Sequence, residues 1–106
     1  MVQVISLTVT VAETVDVTEF EREIVTAMAD RLRDDHGLDL AEEVMASASG
    51  TGNEYPLHPA GSIIVDREPG ALRVKLHAVK VDADDLFTGV SSELEQRHEG
   101  LRVEIG

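Results

Sequence analysis

Apolar and polar residues alternate near the start of the chain, in VQVISLTVTVA over residues 2–12. Strict alternation of this kind predicts a β-strand with one buried face and one face turned away from the core. Thr8 and Thr10 fall on the outward side. The inward side carries Ile5, Leu7, Val9 and Val11.

A helical spacing follows in VDVTEFEREIVTAMADRLRDDHG, residues 15–37. Asp16 with Glu19 three positions later forms a capping box, which marks a helix start. Gly37 suits the left-handed position just past a helix end. We therefore predict a helix over about residues 17–36. Its buried stripe, with residues three and four positions apart, is Phe20, Ile24, Ala27, Met28 and Leu32.

The middle of the chain carries weaker patterns. Asp39 with Glu42, and Gly50 further on, predict a short helix over about residues 40–48. Residues 50–61, GTGNEYPLHPAG, contain two prolines and predict an irregular connection.

Alternation returns in SIIVDR, residues 62–67, and ALRVKLHAVKV, residues 71–81. Between them Pro69 and Gly70 give the signature of a type II turn, which predicts a β-hairpin. In the second strand Leu72, Val74, Leu76 and Ala78 face inward. A last helix, capped by Asp82, is predicted to end at Gly100, and LRVEI closes the chain as a strand.

The predicted order, leaving aside the short helix, is strand, helix, strand, strand, helix, strand. This βαββαβ order is that of the ferredoxin-like split βαβ fold. We therefore predict one α+β domain over residues 1–106, a ferredoxin-like sandwich. It would have a four-stranded antiparallel sheet, helices on one face and a short extra helix after the first. In that order the ALRVKLHAVKV strand is central, beside the first strand; the resemblance is topological and carries little functional information.

Acidic residues dominate the composition, with 21 Asp and Glu against 9 Lys and Arg and a net charge of −12. Such a surface repels itself at low ionic strength, whereas molar salt shortens the Debye length to about 3 Å. The composition favours a halophilic protein; an acidic protein of a mesophile with a GC-rich genome is the alternative. The same balance argues against nucleic acid, because phosphate binding needs a basic footprint.

The sequence contains no cysteine, which excludes disulfides and thiol chemistry. It also has no apolar run near the ~20 residues that a membrane helix needs, and no signal-peptide pattern at its start. We expect a cytoplasmic protein without a membrane partner.

Motifs for catalysis, cofactors and metals are missing too. Neither a complete dinucleotide fingerprint, a P-loop nor HExxH occurs. His36 and His98 lie near predicted helix ends, where a cation complements the helix dipole. His58 and His77 could meet only if the loop of residues 50–61 folded over the sheet. We therefore predict no catalytic residue, no cofactor and no metal.

The segment ALRVKLHAVK, residues 71–80, differs from the rest of the chain. It holds three of the nine basic residues and a histidine, and no acid. Alternation directs Arg73, Lys75 and His77 outward together, beside Thr8 and Thr10 of the first strand. These five residues are the predicted partner-binding face. Two alternatives stay open, a plain exposed sheet face and a ligand pocket.

The sequence favours a non-enzymatic protein–protein interaction or assembly module adapted to high salt. It would bind a protein partner or form a homo-oligomer through the open sheet face, as an adaptor or a subunit of a larger complex such as a virus particle. The alternative is a small dimeric ferredoxin-like enzyme or anion-binding protein. In it Arg73 would bind an anion and His77 would act as acid or base, with Tyr55 supplied from the loop.

Overall fold

The computed structural model describes residues 5–11, 16–46, 50–58, 60–79, 81–98 and 101–106. Within these residues the protein has an α+β fold, with two helices and an antiparallel sheet of seven strands. Along the sheet the order is β2-β4-β5-β6-β1-β7, and β3 pairs with β4. The helices are α1 (Val17–His36) and α2 (Ala83–Arg97). The strands are β1 (Ser6–Thr10), β2 (Asp39–Leu40), β3 (Met45–Ala46), β4 (Gly52–His58), β5 (Ser62–Glu68), β6 (Ala71–His77) and β7 (Arg102–Ile105).

The first helix has the predicted bounds. The Asp16 side chain accepts hydrogen bonds from the backbone N–H groups of Thr18 and Glu19. At the other end Gly37 has φ 67°, a left-handed conformation that glycine adopts at little cost. The sequence signals for both ends of α1 are therefore confirmed.

The core lies between the two helices and one face of the sheet. All five residues of the predicted α1 stripe are buried, and so are Leu86, Phe87, Val90 and Leu94 of α2. The sheet contributes alternate residues from its strands: Leu7, Val9, Leu57, Ile63, Val65, Leu72 and Val74. The side chains between them point to the opposite face, which neither helix covers.

The predicted hairpin is confirmed, with β5 and β6 joined at Pro69 and Gly70. Its second strand lies beside β1, with Thr8 opposite Arg73. The strand ends sooner than expected, because Ala78 has φ 55° and leaves the extended conformation. Ala78 is exposed, so its predicted inward position is wrong.

The predicted short helix over residues 40–48 is wrong. Residues 39–40 and 45–46 form the strands β2 and β3, and residues 47–49 lie outside the described part. A helix this short is marginal in water without tertiary contacts, and Leu40, Val44 and Met45 stay exposed. Without core contacts to stabilise a helix, pairing with β4 satisfies the backbone groups.

Residues 52–58 form β4, where the sequence predicted an irregular connection. The strand tolerates Pro56 because the Pro56 carbonyl accepts from the Ala41 N–H, on the outer side of β4. The N–H and C=O groups of one residue point to the same side in an antiparallel strand. The N–H that proline lacks would therefore point to the outer side of β4, where only the short strands β2 and β3 pair. The sheet is therefore larger than the four strands predicted, and a four-stranded ferredoxin-like arrangement is not confirmed.

The second helix begins as predicted. Asp82 caps it by accepting from the Asp85 N–H, and the helix ends at Arg97, before Gly100. Within the described ranges, neither helix is long and apolar enough to cross a membrane.

Candidate functional site

The five predicted partner-binding residues lie on two adjacent strands. Thr8 of β1 is opposite Arg73 of β6, and Ser6 is opposite Lys75. Alternation places Thr10 and His77 on the same side, since Leu72 and Val74, the two neighbours of Arg73, are buried in the core. The structure therefore brings these residues together on the sheet face that the helices leave open.

Two ion pairs join β6 to β5 on this face. The Arg73 Nη1 atom lies 3.4 Å from Glu68 Oε1, and the Lys75 Nζ atom lies 3.4 Å from Asp66 Oδ2. The basic stripe of β6 is thus bordered by an acidic stripe on β5. Both basic side chains are more than a third exposed, so each pair stabilises the fold by about 0–1 kcal/mol.

The residues of the alternative enzyme site do not converge. Tyr55 lies in β4 rather than in a loop, and its hydroxyl contacts Glu21 of α1. That contact places Tyr55 on the helix side of the sheet. His77 is on the open side, so the combination of Arg73, His77 and Tyr55 in one pocket is wrong.

A buried polar cluster lies on the helix side of the sheet, where α1 crosses β4 and β5. Glu21 is only 2% exposed. Its carboxylate accepts from the Tyr55 hydroxyl and from Asn53 Nδ2 at 2.8 Å. The other carboxylate oxygen lies 3.2 Å from Arg67 Nε in an ion pair. Arg67 also donates to the Thr18 hydroxyl at 3.4 Å.

These contacts explain how a carboxylate is tolerated beneath the helix. A buried charge is costly unless it is paired and hydrogen-bonded, and Glu21 has a cation and two neutral donors. The partners lie on two different strands, so the cluster ties α1 to both β4 and β5. Its chemistry is that of a structural clamp, since the Asn53, Tyr55 and Arg67 side chains engage both oxygens of the carboxylate.

The sequence carries a signal for this cluster in the position of Glu21 on α1. Glu21, Val25, Met28 and Leu32 have the helical spacing of a buried stripe, and the last three are buried. A carboxylate at such a position indicates a paired internal charge. Its partners do not follow from the sequence, because Asn53 and Tyr55 fall in the segment that predicts an irregular connection.

Tyr55 offers a direct test of the cluster, because it is the chain's sole tyrosine. Burial first, and then the hydrogen bond to Glu21, raise the pKa of the Tyr55 hydroxyl to about 12 from its ordinary 10.0. The folded state thus holds this proton more tightly than the unfolded state does. We expect the stabilisation to be complete below about pH 10 and lost as the pH rises through about 12.

Phenolate absorbance, followed together with circular dichroism, measures this pKa without interference from another tyrosine. The expected midpoint is near 12 for the folded chain and near 10 in denaturant. A midpoint near 10 while the circular dichroism stays native would contradict the Tyr55–Glu21 contact.

Comparison with known proteins returns no match: no family model, no curated protein and no solved structure matches the chain. Among the residues described, no group of three or more His, Asp or Glu side chains is arranged to hold a metal ion.

Proposed function

We propose that the protein is a non-enzymatic assembly module of a salt-rich cytoplasm, and that the open sheet face binds a second copy of the chain. The observation that carries the proposal is the pair of stripes on that face, acidic on β5 and basic on β6. Side-by-side stripes of opposite charge are self-complementary under a two-fold rotation. An axis parallel to the strands, between β5 and β6, sets each acidic stripe against the partner's basic stripe.

Charge balance supports a partner of the same sequence. On β1 and β4–β7 the open face carries the bases Arg73, Lys75 and Arg102 and the acids Glu54, Asp66, Glu68 and Glu104. This near balance contrasts with the net charge of −12 for the whole chain. Two copies would therefore meet through a surface where the electrostatic repulsion is weak.

We also infer that the strands β7-β1-β6-β5 are the ferredoxin-like core of the fold, with β2, β3 and β4 added at one edge. These four strands and the two helices follow one another as βαββαβ, and the first strand pairs with the third and fourth. In this view β4 widens the open face without changing its central strands.

Charge reversal on β6 tests the proposed face. Arg73→Glu combined with Lys75→Glu makes both stripes acidic, so it replaces attraction across the two-fold axis with repulsion. We expect the double variant to sediment at a smaller mass than the parent at equal concentration in molar KCl. The matched control is Arg73→Lys with Lys75→Arg, which keeps both charges and should associate like the parent. A folded double variant that sediments with the parent's mass would refute self-association through the open sheet face.

Adaptation to high salt has its own test. Because the charge of −12 is spread over 106 residues, the folded state repels itself more than the expanded chain does at low ionic strength. Thermal unfolding in about 0.1 M and about 1 M KCl, where the Debye length falls from roughly 10 to 3 Å, should show a higher midpoint in the stronger salt. An unchanged or lower midpoint would contradict the halophilic interpretation.

A further inference from the structure

The strand β7 forms one end of the sheet. It pairs with β1 on its inner side, and in the described part of the chain no strand pairs with its outer side. Arg102 and Glu104 are exposed, whereas Val103 and Ile105 are half-buried and pack against the core. The outer edge of β7 is therefore open, with the charged side chains of the strand on one face of the sheet and its apolar side chains on the other.

The direction of the backbone groups at this edge follows from one bonded pair. Gly106 and Ser6 exchange both hydrogen bonds, at 3.0 and 3.2 Å. In an antiparallel ladder every second residue makes such an exchange, so Arg102 and Glu104 also direct their N–H and C=O groups toward β1. Val103 and Ile105 direct theirs outward, away from the sheet, whereas the Leu101 N–H donates to the His98 carbonyl at 3.4 Å.

The sequence LRVEI is complementary to itself when it is read in the opposite direction. In an antiparallel pair centred on Val103, Arg102 is opposite the partner's Glu104, and Leu101 is opposite the partner's Ile105. Val103 is then opposite the partner's Val103, and these two residues can exchange both hydrogen bonds. The Leu101 carbonyl can accept from the partner's Ile105 N–H, while the Leu101 N–H keeps its bond to His98. The charged residues occupy the non-hydrogen-bonded positions, where cross-strand side chains are closest.

We propose that β7 pairs with β7 of a second copy in this register, which joins two sheets into one continuous sheet. Exposed edges are usually protected by charges that repel an incoming strand. Here Arg102 and Glu104 make no ion pair with another residue of the described chain. Across β1 they are opposite Thr10 and Thr8, so their charges are left for the partner's strand.

This interface is separate from the open sheet face and does not rest on it. The two-fold axis of the β7 pair passes through Val103, at the end of the sheet. The two-fold axis proposed for the open sheet face lies between β5 and β6. A chain with two different two-fold interfaces builds a closed tetramer when the axes intersect at right angles, and an open filament when they do not close. The edge would thus allow growth beyond a dimer.

Cysteine pairs test the register directly, because the chain has no cysteine of its own. Arg102→Cys and Glu104→Cys are made as separate proteins, then mixed and oxidised mildly. In the proposed register the mixed pair has Cα atoms about 4.5 Å apart, inside the roughly 4.4–6.8 Å range that a disulfide spans. Like positions are offset by two residues along the strands, about 6.8 Å, as well as by the strand spacing, and lie too far apart.

We expect a disulfide-linked dimer in the mixture and little in either protein alone. The cross-link should persist in the Arg73→Glu, Lys75→Glu background. The experiment therefore tests the pairing through β7 independently of binding through the open sheet face. No cross-link in the mixture, or equal amounts in all three samples, would overturn the pairing.

Charge variants give the equilibrium measurement, with roughly 0.5 M KCl to screen long-range repulsion and circular dichroism to check folding. In the Arg73→Glu, Lys75→Glu background, Glu104→Arg and Arg102→Glu each place like charges opposite one another and should weaken self-association about tenfold or more. Mixing these two variants restores opposite charges at both positions and should restore association. A mixture no tighter than its components would overturn the proposal.

Discussion

Replacing Ile24 with aspartate is expected to unfold the protein. Ile24 is fully buried in the centre of the α1 stripe, against the sheet. The substitution removes an apolar side chain worth about 1.5–3 kcal/mol of burial and adds a charge without a partner. Together these two costs amount to a large part of the roughly 5–15 kcal/mol by which a small domain is stable.

Circular dichroism in molar KCl measures this outcome, with Thr26→Asp as the matched control on the same helix. Thr26 is exposed, so its aspartate variant should stay within about 0.5 kcal/mol of the parent. A native spectrum and an unchanged melting midpoint for Ile24→Asp would contradict the assigned core face.

Removing the Glu21 carboxylate should have the second largest effect. Glu21→Ala leaves the Tyr55 hydroxyl and the Asn53 amide without their acceptor, and each such loss costs about 1–3 kcal/mol. The Arg67 side chain is 39% exposed and can turn to water. The loss of its ion pair therefore costs less than the loss of the two buried hydrogen bonds. We expect a total of about 2–6 kcal/mol in denaturant unfolding.

Two further variants separate the role of the cluster from a general effect of lost charge. Glu95→Ala removes an exposed carboxylate from α2 and should change the free energy of unfolding by less than about 0.5 kcal/mol. Glu21→Gln keeps an acceptor oxygen for Tyr55 or Asn53 and should fall between the other two. Equal stabilities for Glu21→Ala and Glu95→Ala would show that the clamp contributes nothing.

The elements whose limits are set by local chemistry could be predicted from the sequence. Asp16 and Gly37 define the ends of α1 because capping depends on residues only a few positions away. Pro69 and Gly70 likewise define a turn through their own backbone preferences. The alternation around Thr8 and Arg73 then placed the open face, since the side-chain period of a strand is two.

The predictions for residues 39–46 and 52–58 were wrong because pairing between distant residues decides their structure. Asp39 and Glu42 satisfy a helix-start rule, yet Asp39 pairs with His58 and Leu40 pairs with Leu57. The ion pairs of Arg73 and Lys75 have a different origin, since they depend on the register of the hairpin. Their acids, Asp66 and Glu68, are near in the sequence, but only the register of the hairpin sets them alongside.

The hydrogen bonds between Ser6 and Gly106 also determine how the sheet would respond to a pulling force. Ser6 begins β1, and Gly106 directly follows β7, so both lie at the same end of an antiparallel pair. Tension applied through these two residues acts perpendicular to the strands. It would load one pair of hydrogen bonds at a time, so that β7 peels from β1 as a zipper opens. Force applied along the strands would instead have to shear all of their hydrogen bonds together, which makes the first direction the mechanically weak one.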